Sequence, residues 1–184
     1  AFDPEDPANY LKTRAWSAPK SNYKTLYQTG IAYTNSVSFA KSYENTSARM
    51  SLSNLDQSGI LPNSKLKRTT ASLNLSTKFN DKLTAKGGIT YVRTDGFNRP
   101  EFGYGDNSIP QKMYQWSQAQ LDYSRLKNYK TSTGEQLSWN RSAWNDATPK
   151  YSDNPYWILY ENTSKDKRDR FYGNFELKYD ILPG

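Results

Sequence analysis

Period-two alternation marks five stretches of this chain. From Tyr33 to Phe39, Tyr33, Val37 and Phe39 share one face and Thr34, Ser36 and Ser38 the other; Asn35 interrupts the apolar side. Between Ser47 and Ser53, Ala48, Met50 and Leu52 alternate with Ser47, Arg49, Ser51 and Ser53. The third stretch sets Ala71, Leu73, Leu75 and Phe79 against Thr70, Ser72, Asn74, Ser76 and Lys78. The fourth sets Leu83, Ala85, Ile89 and Tyr91 against Lys82, Thr84, Lys86 and Thr90, with Gly87 and Gly88 pointing to a bulge or a close backbone approach. The fifth, from about Arg170 to Ile181, sets Phe171, Phe175, Leu177, Tyr179 and Ile181 against Tyr172, Asn174, Glu176, Lys178 and Asp180. Successive strand side chains point to opposite faces, so each stretch predicts a strand with one apolar and one polar side. The first strand is expected to reach back towards Leu26.

The connections alternate in length. Ala1 to Lys24, with Pro4, Pro7 and Pro19, reads as loop. Lys41 to Asn45 is a short link. Ser58 to Lys65 is a loop built on Gly59, Pro62 and Asn63, and Asn80-Asp81 a tight hairpin turn of residues that tolerate positive φ. A long irregular stretch runs from about Thr94 to Asp166, with a short helix expected within Pro110 to Lys127 from the spacing of Met113, Trp116 and Gln120. Leu182-Pro183-Gly184 closes the chain in a turn. Brief turns at one end and longer loops at the other are the habit of membrane barrels. A soluble sandwich rarely carries a structureless connection far beyond about 15 residues.

Composition sharpens this picture. Only 35% of the 184 residues are hydrophobic, with a mean hydropathy of -0.97, yet 15% are aromatic. Disordered chains are poor in aromatics. A barrel in which every second residue faces lipid keeps its average hydropathy low. Fifteen Tyr and five Trp suit a membrane interface or stacking on a ligand. No stretch approaches the roughly 20 apolar residues of a membrane helix. The chain opens on Ala1-Phe2-Asp3-Pro4 without an initiator Met, which fits either a matured secreted protein or an internal piece of a longer one.

With no Cys and no His, the chain has no thiolate nucleophile, imidazole base or usual zinc or haem ligand. No catalytic carboxylate pair stands out, so an enzyme is not expected, and no cofactor is implied. Gly103-Tyr104-Gly105-Asp106 lacks the Lys-Ser/Thr of a nucleotide loop and reads as a turn. Asp106, Asn107 and Asp153 fit no calcium-loop spacing. The net charge of +7 is scattered, and its one dense run, Lys165 to Arg170, contains Asp166 and Asp169. Nucleic acid is therefore not an expected partner.

Several segments resemble those of SusC/RagA-type TonB-linked outer-membrane transporters, in family order. They are Thr34 to Ser38, Asn54 to Ser64 (NLDQSGILPNS), Arg99 to Asn107 (RPEFGYGDN), Asn154-Pro155-Tyr156-Trp157, and Lys167 to Arg170 before the last strand. The resemblance covers nearly everything from Leu26 onward. It implies residence in the bacterial outer membrane and a barrel of about twenty-two strands plugged by an N-terminal domain. It also implies TonB-driven import of glycan or peptide fragments beneath a SusD-like lipoprotein lid. The chain departs from a full member in having no plug, no TonB-contacting segment and about five strands. Five open strands leave two edges that lipid cannot satisfy, so the remaining barrel and plug are expected elsewhere.

The expectation for residues 1–184 is therefore an all-β, antiparallel, transmembrane β-barrel segment, about five strands of a larger plugged barrel in contact with outer-membrane lipid. Its long loop, about 94–166, is expected outside the cell, with the short links at Lys41–Asn45 and Asn80–Asp81 on the periplasmic side. Leu73, Leu75, Phe175 and Leu177 are expected to face lipid, and Asn74, Ser76, Glu176 and Lys178 the lumen. Trp116, Trp139 and Trp144 are the candidate substrate- or lid-contacting residues; packing of the loop on itself is the competing role for each. The Asn154 to Trp157 tetrad reads as structural. The alternative function is a soluble β-sandwich module that binds glycans on aromatic loops.

Overall fold

In a computed structural model of the chain, residue 8, residues 12–13 and residues 18–181 are described. The early Pro4 and Pro7 and the closing Leu182-Pro183-Gly184 turn lie outside them. The chain divides into two compact units. One comprises Ile31–Ser58, Lys65–Phe97 and Lys165–Gly184, the other Ala1–Gly30, Gly59–Ser64 and Asn98–Ser164.

The first unit is an antiparallel sheet of five long strands: β1 (Ile31–Tyr43), β2 (Thr46–Ser58), β3 (Lys65–Lys78), β4 (Leu83–Phe97) and, after two short strands of the other unit, β7 (Lys165–Tyr179). Their order is β1-β2-β3-β4-β7, so neighbours in sequence are neighbours in the sheet. All four ladders run without a register shift. The fold class is thus all-β and antiparallel. None of the helices described is long and apolar enough to cross a membrane, which leaves strands unaddressed.

Several strand ends differ from the sequence pattern. β1 begins at Ile31, and Leu26 instead lies buried in the other unit within a 3-10 turn, Tyr23–Leu26. The Lys41–Asn45 link shrinks to Glu44 and Asn45, because Lys41 to Tyr43 still pair with β2; Glu44 takes the positive φ of +46°. The Asn80-Asp81 turn is wider than two residues, spanning residues 79–82, and uses no positive φ at Asn80 or Asp81. The Asn80 side chain instead accepts hydrogen bonds from the Lys82 and Leu83 amides, both at 2.9 Å. β7 starts at Lys165 rather than Arg170, so the charged run belongs to the strand. Gly87 and Gly88 make no bulge; their pairing with Phe175 and Asn174 is regular.

The second unit replaces the irregular stretch with compact structure. It holds α1 (Ile109–Gln115), a 3-10 turn at Tyr123–Lys127, a hairpin of β5 (Arg141–Ala143) and β6 (Asp146–Pro149), and α2 (Pro155–Tyr160). The expected helix is therefore present but begins one residue earlier and ends before Trp116, which caps it. Nine buried apolar residues form one core: Leu26, Leu61, Ile109, Met113, Tyr123, Leu126, Tyr156, Ile158 and Leu159. They come from all three segments of this unit. Helices of six or seven residues are too short to display a period, which is why the pattern looked structureless.

Asn154 organises this core. It is fully buried and N-caps α2, its Oδ1 accepting from the Tyr156 amide at 2.8 Å, with Pro155 at the first helical position. Its Nδ2 donates to the Leu126 and Leu137 carbonyls at 2.9 and 2.8 Å. The tetrad is thus a helix start tied to two other segments. Asn154→Ala removes all three bonds and leaves two buried carbonyls without this donor. The expected cost is about 2–4 kcal/mol, read as a lower denaturant midpoint and faster proteolysis within residues 98–164. An unchanged midpoint and digestion pattern would remove Asn154 from this role.

Candidate functional site

Register decides which side chains share a face of the long sheet. Val37, Leu52, Ala71, Tyr91 and Phe171 form one cross-strand row, and Phe39, Met50, Leu73, Ile89 and Gly173 the next. A third contains Lys41, Ala48, Leu75, Gly87 and Phe175, and a fourth Tyr43, Thr46, Thr77, Ala85 and Leu177. The apolar positions of all five strands thus merge into one band. It stays open to solvent: Phe39 is 65% exposed and Phe175 76%. Exposed apolar surface on this scale marks an interaction surface.

The band is bounded at one end. Asn35, Asn54, Thr69, Arg93 and Asp169 make the next row, and Tyr33, Asp56, Lys67, Asp95 and Lys167 the one after. Asn35 is therefore the rim of the band and not a break in it. Ion pairs and hydrogen bonds knit this rim: Lys67 to Asp56 at 3.2 Å, Arg93 to Asp95 at 3.0 Å, and the Tyr91 hydroxyl to Asp169 at 2.5 Å. Tyr91 and Phe171 sit ring to ring at 4.6 Å just inside it.

The opposite face is mostly small and polar, with Leu55, Leu66 and Val92 as its larger apolar members. Ser36 donates to Ser53 at 2.8 Å, and Ser72 and Thr90 share a hydrogen bond at 3.0 Å. Lys86 meets Glu176 at 3.5 Å. A shallow concavity of about 420 Å³ opens on this side, with Arg49, Asn74, Ser76, Lys86 and Asn174 in its lining. Gly88 makes room there: a Cβ on it would come within 2.7 Å of the Asn74 Oδ1 and 2.9 Å of the Asn174 Oδ1. Leu73, Leu75, Phe175 and Leu177 thus share the apolar face, and Asn74, Ser76, Glu176 and Lys178 the polar one, as the alternation predicted.

The three tryptophans fall in different surroundings of the other unit. Trp116 follows α1 and is 57% exposed; Trp144 sits in the β5–β6 turn and is 60% exposed. Trp139 packs against the buried core, with its indole N–H buried and without a hydrogen-bond partner among the described residues. A ladder of rings is built from residues that pattern reasoning did not single out together. Tyr129 stacks on Tyr160 at 5.9 Å, Tyr160 on Tyr156 at 6.5 Å, and Trp157 meets Tyr129 edge-on at 6.3 Å. The i, i+4 spacing of Tyr156 and Tyr160 was the one available signal.

Charge states here are ordinary. The Lys130 ammonium, 2.8 Å from Glu161, holds that carboxyl below the usual glutamate range, and Glu161 in turn raises Lys130. Burial pushes the Tyr27 phenol up, helped by the Tyr114 hydroxyl at 2.7 Å; burial also raises Tyr156. Each of these shifts runs away from neutrality, so all four groups keep their usual charge at pH 7. Compared with models of known protein families and with curated proteins, the chain matches none.

Two glycines of the β4–β7 ladder make opposite predictions. A Cβ on Gly173 would lie 2.6 Å from the Gly88 carbonyl oxygen, a backbone atom that cannot step aside. On Gly87 its nearest neighbours are 3.8 Å away, ordinary contact. Gly173→Ala is expected to destabilise by about 1–3 kcal/mol, and Gly87→Ala to be neutral or stabilising by up to about 1 kcal/mol. Denaturant midpoints of the two variants check this; equal midpoints would contradict it.

Proposed function

We propose that the five-stranded sheet is a wall segment of a transmembrane β-barrel in the bacterial outer membrane. In this reading it belongs to a TonB-dependent importer of the SusC/RagA kind that takes up glycan or peptide fragments. The observation that carries the reading is the continuous exposed apolar band backed by a polar face. On β4 the band runs from Leu83 to Tyr91, eight steps. At about 3.4 Å per step that is about 27 Å along the strand, or about 20 Å along the axis of a barrel whose strands tilt by about 40°. That is of the order of the apolar height of outer-membrane barrels, about 25 Å. Aromatic residues at both margins, Tyr91 and Phe171 at one and Tyr43 and Tyr179 at the other, fit the girdles of such barrels.

The two outer strands support the same reading. Among the described residues β1 pairs only with β2, and β7 only with β4. Lipid cannot satisfy such edges, so further strands beyond both complete the barrel. A β-sandwich, the competing architecture, needs a second layer over the apolar face, and the exposure of Phe39 and Phe175 argues against one. The polar face then lines the lumen. The hairpin ends at Glu44–Asn45 and residues 79–82 are periplasmic, and the strand ends at Ser58, Lys65, Phe97 and Lys165 are extracellular. The chain's part is passive: wall, lumen lining and a folded outer segment, with no chemical step.

The reading is tested at Leu75 and Ser76. Leu75→Arg at a mid-band position should cost about 2–4 kcal/mol of stability in the membrane, while Ser76→Arg costs little. The wild-type protein should leave cell envelopes only with detergent. Extraction by salt alone, or equal penalties at the two positions, would remove the barrel reading.

In the outer segment, exposure favours Trp116 and Trp144 over Trp139 as the residues that meet substrate or the lid lipoprotein. Loss of one such interfacial Trp weakens contact by about 2 kcal/mol or about thirtyfold. Uptake and lid co-purification are to be measured for each Trp→Ala variant at matched membrane levels. A drop is expected for Trp116 or Trp144 without loss of folded protein, and a drop in folded protein itself for Trp139. Normal import and lid retention in both exposed variants would reduce this segment to scaffold.

A further inference from the structure

The polar face of the sheet is also a strongly basic one. By register, four arginines and three lysines fall on it against Asp166 and Glu176; with Asp81 and Asp180, which pair two of the lysines, the formal charge is 7 − 4 = +3. The lysines are neutralised locally. Lys86 pairs with Glu176 at 3.5 Å, Lys178 with Asp180 at 3.0 Å and Lys78 with Asp81 at 3.1 Å. The four arginines, Arg49, Arg68, Arg168 and Arg170, have no acidic partner among the described residues. On the apolar face, by contrast, Arg93 has its own Asp95 at 3.0 Å.

These arginines are placed, not scattered. Arg68 and Arg168 occupy one cross-strand row on either side of Thr94, about 10 Å apart across two strand spacings. Arg170 is the next residue of β7 on the same face, about 7 Å further along. Arg49 shares a row with Asn74, Gly88 and Asn174 in the concavity. Between the two groups lies one row that includes Ser51, Ser72 and Thr90.

We infer that this face is a binding track for an acidic oligosaccharide, whose carboxylate or sulfate groups are held by Arg49, Arg68, Arg168 and Arg170. The inference rests on the barrel reading, in which this face lines the lumen. Guanidinium forks match carboxylate and sulfate oxygens in pairs, which a lysine point charge does not. The intervening Ser, Thr and Asn side chains both donate and accept, as sugar hydroxyls require. An acidic peptide would lay its apolar side chains against those hydroxyls. A single-stranded nucleic acid would want several stacking rings, and among the described residues Tyr172 is the one aromatic residue this face presents.

The test is calorimetric titration of the whole protein in detergent micelles with an oligogalacturonate, with maltohexaose as neutral and polyglutamate as peptide probe. The oligogalacturonate should bind at least about tenfold more tightly than maltohexaose, with an affinity that falls as salt rises. Arg68→Gln, Arg168→Gln and Arg170→Gln should each weaken it by about tenfold, Arg68→Lys by less, and Arg93→Gln not at all. Equal binding of neutral and acidic sugars, or full affinity in the triple Gln variant, overturns the inference. Polyglutamate binding as tight, and lost in the same variants, overturns its sugar assignment. Protein that needs detergent but shows no preference for the acidic sugar leaves the barrel reading standing and this one fallen. Protein that is soluble in buffer yet binds the oligogalacturonate through these arginines does the reverse.

Discussion

Gapless antiparallel pairing is the constraint on which the sheet and its surfaces depend. Four ladders of 13 to 15 residue pairs run without a shift, so opposed residues keep to one side from β1 across to β7. A slip of one residue in any ladder would send that strand's apolar set to the other face. Phe39, Met50, Leu73 and Ile89 meet in one row only because every intervening register holds. The same registers bring Asn74, Gly88 and Asn174 together on the far side, where the absence of a Cβ on Gly88 lets the two amides approach.

A second constraint follows from satisfaction of the backbone. Strands that pair on both sides need nothing more, but β1 and β7 each have an unpaired side among the described residues. Long, flat, apolar edges in water are templates for aggregation unless covered or paired. In the proposed barrel, closure would pair the edges and lipid would cover the apolar band. That proposal would account for two features that are each a liability in a solvated sheet. The other unit follows different physics: it buries nine apolar residues and uses Asn154 to satisfy carbonyls that its irregular backbone leaves inside.

The division of charge gives the sheet's two faces different capacities. Acidic residues on the apolar face gather at its rim, where Asp56 and Asp95 hold Lys67 and Arg93. Arginines of the polar face lack that neutralisation, so their fields add. Tryptophan exposure separates roles within the other unit in the same way. Trp116 and Trp144 are exposed, while Trp139 packs against the core.

Alternation alone determined the existence of five long strands, the two faces of each and the position of the short links, because a strand's period is local and equals two. It also placed Leu75 and Phe175 on one side and Ser76 and Glu176 on the other. Strand ends were less legible: Lys165 to Asp169 reads as a charged link until pairing with β4 makes it strand, since ladder hydrogen bonds depend on a partner that is about seventy residues away in sequence. Tertiary structure alone decided that residues 98–164 have a core. Its members come from segments distant in the chain, Leu26, Leu61 and Leu159 among them, and from helices too short to carry a period. Only cross-strand register, too, could bring Arg68 and Arg168 into one row. Their hundred-residue separation holds no local signal, and the charge of a face is a sum over strands that no single stretch of sequence contains.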